Sequence, residues 1–223
     1  MKRLFLALIA LAASALMSES KAQLLDFDGM PPYKLGLTAG LNMPTFSGGQ
    51  YDYTLGVNGG VDLMLDASDL CPSTFARVQL KYSMKGAKGP DAIPQIVGDA
   101  NGEVYEVFPK THYTTHYIEL PIHYGYAWSI DSDWTFLAET GPYFAFGLGG
   151  TSRPDNESIF ESHSFFNHYN ASHFDFGWGL QASVLFDQQW QFHIGYDWGF
   201  KNMTDVFLQN NGLNIGLTLY FEY

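Results

Sequence analysis

Residues Leu213–Tyr223, LNIGLTLYFEY, set Leu213, Ile215, Leu217, Leu219, Phe221 and Tyr223 on one side and Asn214, Gly216, Thr218, Tyr220 and Glu222 on the other. A repeat of two is the period of a β-strand with one greasy face, and here it ends on an aromatic residue. The same alternation recurs in seven earlier segments: Tyr33–Met43, Thr54–Leu65, Thr74–Lys85, His112–Tyr126, Trp134–Leu148, Ser172–Phe186 and Trp190–Phe200. A strand crosses a bilayer on a tilt with roughly 9–11 residues, and each segment is long enough. Inside hydrocarbon every backbone donor and acceptor must be paired within the protein, which strands achieve only by closing into a barrel. The fold class expected is all-β: an eight-stranded antiparallel transmembrane β-barrel.

The connections support this topology. Asp66–Ser73, Ala127–Asp133 and Asp187–Gln189 are short turns, and they alternate with longer segments, the largest being Gly86–Thr111 and Gly149–Ala171. Short periplasmic turns and long extracellular loops are the pattern of outer-membrane barrels, and both termini then lie in the periplasm. Pro121 removes a ladder donor within its strand. With Gly125 nearby and the Gly141-Pro142 pair across from it, a local bulge or bend is expected there.

The chain opens with Lys2 and Arg3, continues with an apolar run from Leu4 to Met17, and reaches the small-residue pattern Ser20, Lys21, Ala22. This order reads as a signal peptide over residues 1–22, cleaved before Gln23, with the barrel domain over residues 23–223. At 14 residues the apolar run is too short for a spanning helix, which needs roughly 20. Removing residues 1–22 takes away three of the 11 basic and one of the 23 acidic residues, leaving 8 against 22 and a net charge of −14. So acidic a chain does not suit nucleic acid, whose phosphates are met by Lys and Arg. An acidic exterior would reach anionic head groups through divalent cations. The single Cys71 has no partner for an internal disulfide and falls in a turn segment.

Within the strands, Arg77, Lys81, Glu119, Glu139 and Asp175 share the polar parity. Eight strands leave an interior filled by side chains, and buried charges must be paired, so these residues are expected to form a salt-bridged plug rather than an ion path. Glu119 and Glu139 are poor candidates for a catalytic acid pair, because Arg77 and Lys81 would neutralise both. An interfacial aromatic girdle is assigned to Tyr33, Tyr124, Tyr126, Trp134, Trp178, Trp190, Trp198 and Tyr223, since these rings tolerate one wet edge. His163, His168 and His173 lie among Phe160, Phe165, Phe166 and Tyr169. Their irregular spacing argues for a self-packing or partner-contacting loop over a metal site. No cofactor or metal is expected.

Several stretches carry a family resemblance. Tyr117-Ile118-Glu119-Leu120-Pro121-Ile122, Leu35-Gly36-Leu37-Thr38-Ala39-Gly40-Leu41-Asn42, Glu139-Thr140-Gly141-Pro142-Tyr143, Phe174-Asp175-Phe176-Gly177 and Tyr196-Asp197-Trp198-Gly199-Phe200-Lys201-Asn202 are similar to strands of the PorT-like outer-membrane β-barrel family of the Bacteroidetes. Asp197 departs from the neutral or basic residues the family often has there. The resemblance covers essentially the whole chain after residue 22. It implies an integral outer-membrane barrel without an assigned activity; the member the family is named for is linked to a protein secretion system.

The expected role is therefore structural, surface-interacting or secretion-associated, without enzymatic activity, in a monomer. Its expected partners are outer-membrane lipid, the barrel-insertion machinery acting on the C-terminal strand, and secretion-system or cell-surface proteins at the outer loops. Two alternatives share the same alternation. A soluble lipocalin-like barrel would turn the apolar face inward around a ligand. An outer-membrane lipid-modifying enzyme would need a nucleophile and base, for which Ser83 and His116 are the nearest components.

Overall fold

A computed structural model of the protein describes residues 33–98, 103–204 and 208–221 of the 223-residue chain. The proposed signal segment and the girdle residue Tyr223 lie outside these. In chain order the elements are β1 (Tyr33–Ser47), β2 (Gly56–Asp66), β3 (Thr74–Pro90), β4 (Gln95–Gly98), β5 (Val104–Val107), β6 (Lys110–Ser129), β7 (Trp134–Pro154), β8 (His163–Ser164), the one-turn helix α1 (Phe165–His168), β9 (Phe174–Phe186), β10 (Trp190–Gly199) and β11 (Gln209–Tyr220). Eight of these form one antiparallel ring in the order β6-β3-β2-β1-β11-β10-β9-β7, and pairing of β6 with β7 closes it. The first and last wall strands meet along a seam running from Gly36↔Tyr220 to Ser47↔Gln209.

Alternation decides which side is greasy. Leu37, Leu41, Val61, Leu80, Ile122, Phe176 and Ile194 are exposed on the outer surface, whereas Arg77, Glu119, Glu139, Asp175 and Gln191 are buried within. An apolar exterior around a charged interior is the arrangement that lipid stabilises, and it is the reverse of a soluble ligand-binding barrel. The lipocalin-like alternative is thereby set aside.

Three strands run well past the span anticipated from alternation. β3, β6 and β7 have 17, 20 and 21 residues, and their ladders continue to Pro90↔Lys110 and Thr111↔Pro154. The stretches expected to be loops from Gly86 and from Gly149 thus begin as wall. What remains above β3 and β6 includes the β4–β5 hairpin, which pairs only with itself.

The interior is layered. At the turn end, inward-facing Met64, Phe75, Leu137, Leu185 and Tyr220 pack with Ala127 into an apolar floor. Burying side chains of this size stabilises by about 1.5–3 kcal/mol each. At the loop end Phe46, Tyr113, Phe165, Phe166, Tyr169, Met203 and Leu208 form an apolar ceiling. The interior's ionic clusters are therefore confined to the middle storey, with Lys34 buried at the turn end against Gln188.

The bulge is found elsewhere than expected. Pairing steps from His116↔Gly149 to Tyr117↔Gly147, which leaves Leu148 as the extra residue. At Pro121 the register is unchanged; only rungs are missing, to β3 beside Gln79 and Leu80 and to β7 beside Gly141 and Pro142. Two prolines without N–H groups account for both gaps. Gly141 lets the backbones close at this point, because a Cβ there would be driven into the Ile122 carbonyl oxygen and lie 2.8 Å from His123 Cα. Gly141→Ala is expected to destabilise the barrel by about 1–3 kcal/mol as overpacking, read as a lower urea midpoint for the folded band on unboiled gels. An unchanged midpoint would show that the strands can separate at no cost.

Candidate functional site

The middle storey contains two ionic clusters. In the lower one, Arg77 is 1 % exposed and sits at the centre. Its Nη1 lies 2.7 Å from Glu139 Oε1 and its Nε 3.6 Å from Asp62 Oδ2. Its Nη2 donates to Gln191 Oε1 at 2.7 Å and to the Tyr220 hydroxyl at 3.1 Å. Gln79 donates to Asp62 at 2.5 Å and Gln181 to Glu139 at 2.7 Å. Strands β2, β3, β7, β9, β10 and β11 thus meet around one guanidinium, whose planar fork can serve several acceptors at once.

In the upper cluster Glu119 accepts from Lys81 at 3.0 Å and Lys85 at 2.7 Å. Lys85 also lies 3.9 Å from Asp175 and 4.3 Å from the centre of the Tyr143 ring. Three cations face five carboxylates (Asp62, Glu119, Glu139, Asp175, Asp197), and neutral donors supplement them: Asn210 reaches Asp175 at 2.9 Å and Asn214 reaches Asp197 at 3.2 Å. Such buried groups must be satisfied from several sides, which fixes the relative positions of strands distant in sequence.

The five charged residues singled out from parity therefore divide, with Arg77 and Glu139 below and Lys81, Glu119 and Asp175 above. Lys85, Asp62, Asp197 and Tyr220 complete the clusters and were not assigned to them beforehand. Parity could have found the first three. Lys85 follows Lys81 by four residues in the same strand, while Asp62 and Asp197 already lay on the polar side. Tyr220 gives no comparable signal, since a tyrosine near a strand end reads equally well as a belt residue.

The girdle candidates occupy two levels. Tyr33, Tyr124, Tyr126, Trp134 and Trp190 stand near the turn end, and Trp178 and Trp198 form a cross-strand pair near the other. Trp190 and Trp198 are eight residues apart on β10. At about 3.4 Å per residue and a tilt of about 40° this separates the levels by roughly 20 Å, close to the roughly 25 Å apolar band of such barrels.

Above the upper cluster, the β7–β9 connection folds back into the mouth. α1 inserts Phe165 against Tyr113 and Phe46, with ring centres 5.8 and 6.1 Å apart, while Tyr169 donates to Asp91 at 2.7 Å. His163 and His168 stack with centres 3.9 Å apart, and His173 lies against Phe166 with Nδ1 2.7 Å from the Gly147 carbonyl oxygen. Among the described residues no group of three or more His, Cys, Asp or Glu converges as metal ligands. Ser83 points into the lumen, where Asn42 donates to it at 3.1 Å, whereas outward-facing His116 meets the Tyr82 hydroxyl at 2.6 Å. The two are not brought together. Cys71 is exposed in the β2–β3 turn.

Burial and the neighbouring His163 lower the pKa of His168, against a weaker opposing effect of Asp91. A histidine with a depressed folded value takes up its proton more readily once unfolded, so its contribution to loop stability falls as pH drops through the ordinary histidine range. The His168 proton resonance is expected to titrate at a lower pH than an unstructured histidine. A midpoint at or above the unstructured value would contradict the stacked arrangement.

With this geometry in view, residues 23–205 match the family described as Outer membrane protein beta-barrel domain. No curated protein matches the chain. Among solved structures, similarity is found to Neisserial surface protein A, at 10 % identity and TM-score 0.46, covering 86 % of this chain and 98 % of that one. It is also found to the attachment invasion locus protein Ail of Yersinia pestis, at 9 % identity and TM-score 0.38, covering 86 % of this chain and all (100 %) of that one. The chain belongs to the Outer membrane protein beta-barrel domain family and is an outer-membrane β-barrel.

Proposed function

We propose that the protein is a closed, non-conducting and non-enzymatic barrel that acts through its extracellular loops, as a surface-interaction or secretion-associated component. The observation that carries this reading is the filled interior: an apolar floor, two ionic clusters and an aromatic ceiling occupy the lumen in succession. What remains free to act lies outside the wall. The β4–β5 hairpin exposes Ile96 at 74 % and Val104 at 68 %, beside exposed Phe108. Apolar groups displayed together beyond the membrane band are suited to a protein partner.

The strand motifs favour a PorT-like member from the Bacteroidetes, exported by a signal peptide cleaved before Gln23, inserted through recognition of its last strand and working as a monomer. Two measurements test the reading. In planar bilayers the purified protein should give no stepwise conductance. In intact cells, a photo-crosslinker at Ile96 should give a discrete adduct with a secretion or cell-surface protein. Conductance steps, or lipid hydrolysis by the purified protein, would refute it.

A further inference from the structure

After residue 22 the chain has eight Lys and Arg residues. Lys34, Arg77, Lys81 and Lys85 are enclosed by the barrel. Of the four left for the outside, Lys88, Lys110 and Arg153 gather on one section of wall, although the chain as a whole is strongly acidic. The ladder explains the gathering. Lys88 pairs with His112 and His112 with Arg153, so three nitrogenous side chains form a single row across β3, β6 and β7, with Lys110 one step higher. Adjacent strands are about 4.8 Å apart, which puts the row within roughly 10 Å.

All of the row faces outward, because Ala87, Thr111, Tyr113 and Ser152 on the alternate parity are buried. Arg153 joins it only through the Leu148 bulge. Below the bulge even-numbered residues of β7 point outward, and above it the odd-numbered residues do. Asp155 answers two members, at 3.1 Å from Lys88 and 3.2 Å from His112, and Asp52 lies 3.7 Å from Lys110. Among the described residues no ion pair engages Arg153.

Height identifies what the row meets. The last largely apolar row is Tyr82, Ile118 and Phe146; the cations stand six residues further along β3. At about 3.4 Å per residue and a tilt of about 40° they lie roughly 15 Å beyond it. The intervening rows hold Met84 and His116, then Gly86, Thr114 and Thr151, so polarity rises gradually through the head-group layer. The polar layer is roughly 5–8 Å deep on each side of the hydrocarbon, so the backbone of the row stands just above it and its long Lys and Arg side chains reach down to the anionic groups there.

We infer that the Lys88–His112–Arg153 row, with Lys110, is a binding site on the outer wall for the phosphate groups of a phosphorylated glycolipid anchored in the surrounding leaflet. Direct contact of this kind replaces, on this wall, the divalent-cation bridges expected of an acidic exterior. The site is distinct from any loop-borne partner and does not depend on one.

Native mass spectrometry of the full-length protein purified in detergent tests this, with bisphosphorylated lipid A and the same lipid stripped of both phosphates as probes. The wild-type barrel should retain the phosphorylated lipid at least about tenfold better, at about fivefold per engaged cation. Combined Lys88→Gln and Arg153→Gln substitution should abolish that preference, and Lys201→Gln, round the wall, should leave it intact. A heat-modifiable band verifies folding, and Arg153→Glu alone serves as a second variant if the double one does not fold. Equal retention of the two lipids, an unaffected variant, or displacement by millimolar inorganic phosphate would overturn the assignment.

Discussion

Arg77→Met is expected to destabilise the folded barrel by about 3–5 kcal/mol, the cost of leaving a buried charge without its partner. Glu139, 2.7 Å from the guanidinium, and Asp62, 3.6 Å away, would both be stranded in the interior, and Gln191 and Tyr220 would lose a donor. Urea titration read by the folded band on unboiled gels measures the loss. Adding Asp62→Asn and Glu139→Gln should recover most of it, since replacing a whole buried ionic group is far milder than breaking one. If Arg77→Met alone shifts the midpoint no more than a surface substitution such as Lys201→Gln, the lower cluster does not hold the strands together.

Ile194→Arg is expected to cost about 2–4 kcal/mol, the penalty for a cation at the middle of the lipid-facing band. Ile194 is 50 % exposed and lies midway between Trp190 and Trp198 on β10, flanked by Ala182 and Ile215. The same change at Trp198, at interfacial depth, should cost only about 0–1 kcal/mol from charge placement. The difference between the two positions is the diagnostic. Equal and small effects would mean that this surface meets water, and the outward assignment of the greasy parity would fail.

Strand identity and facing were readable from residues alone because hydrocarbon imposes an apolar residue at every second position. The same cause hid the true lengths of β3, β6 and β7. Beyond the band the outward positions become Lys88, His112, Thr114, Thr151 and Arg153, so the alternation fades while the hydrogen-bond ladder continues. The Leu148 bulge was equally obscure, lying in the run Gly147-Leu148-Gly149-Gly150, where glycine carries no facing signal. The floor was concealed for a different reason: Phe75, Leu137 and Leu185 occupy the polar parity, and an apolar residue there looks like noise until the lumen is seen to taper into a dry layer. Of the interior charges, Arg77, Lys81, Glu119, Glu139 and Asp175 lie inside the alternating runs and are legible, whereas Lys85 stands where the alternation of β3 fades although its ladder continues. Which charges pair could not be read, since Arg77 and Glu139 are brought together by the curl of the sheet across the intervening β6 rather than by neighbouring positions in the chain.

The seam between β1 and β11 differs from the rest of the wall. Its inward residues are Gly36, Thr38, Gly40, Asn42, Pro44 and Phe46 on one strand and Asn210, Gly212, Asn214, Gly216, Thr218 and Tyr220 on the other, none of them charged. The cations and acids of the middle storey are drawn instead from β2, β3, β6, β7, β9 and β10. A curved sheet can accordingly set its ion pairs before the edges meet, and zippering joins only uncharged side chains, with Tyr220 bringing its hydroxyl to Arg77 and Asp62 at 3.1 and 3.0 Å. This joint can be parted without tearing opposite charges from each other.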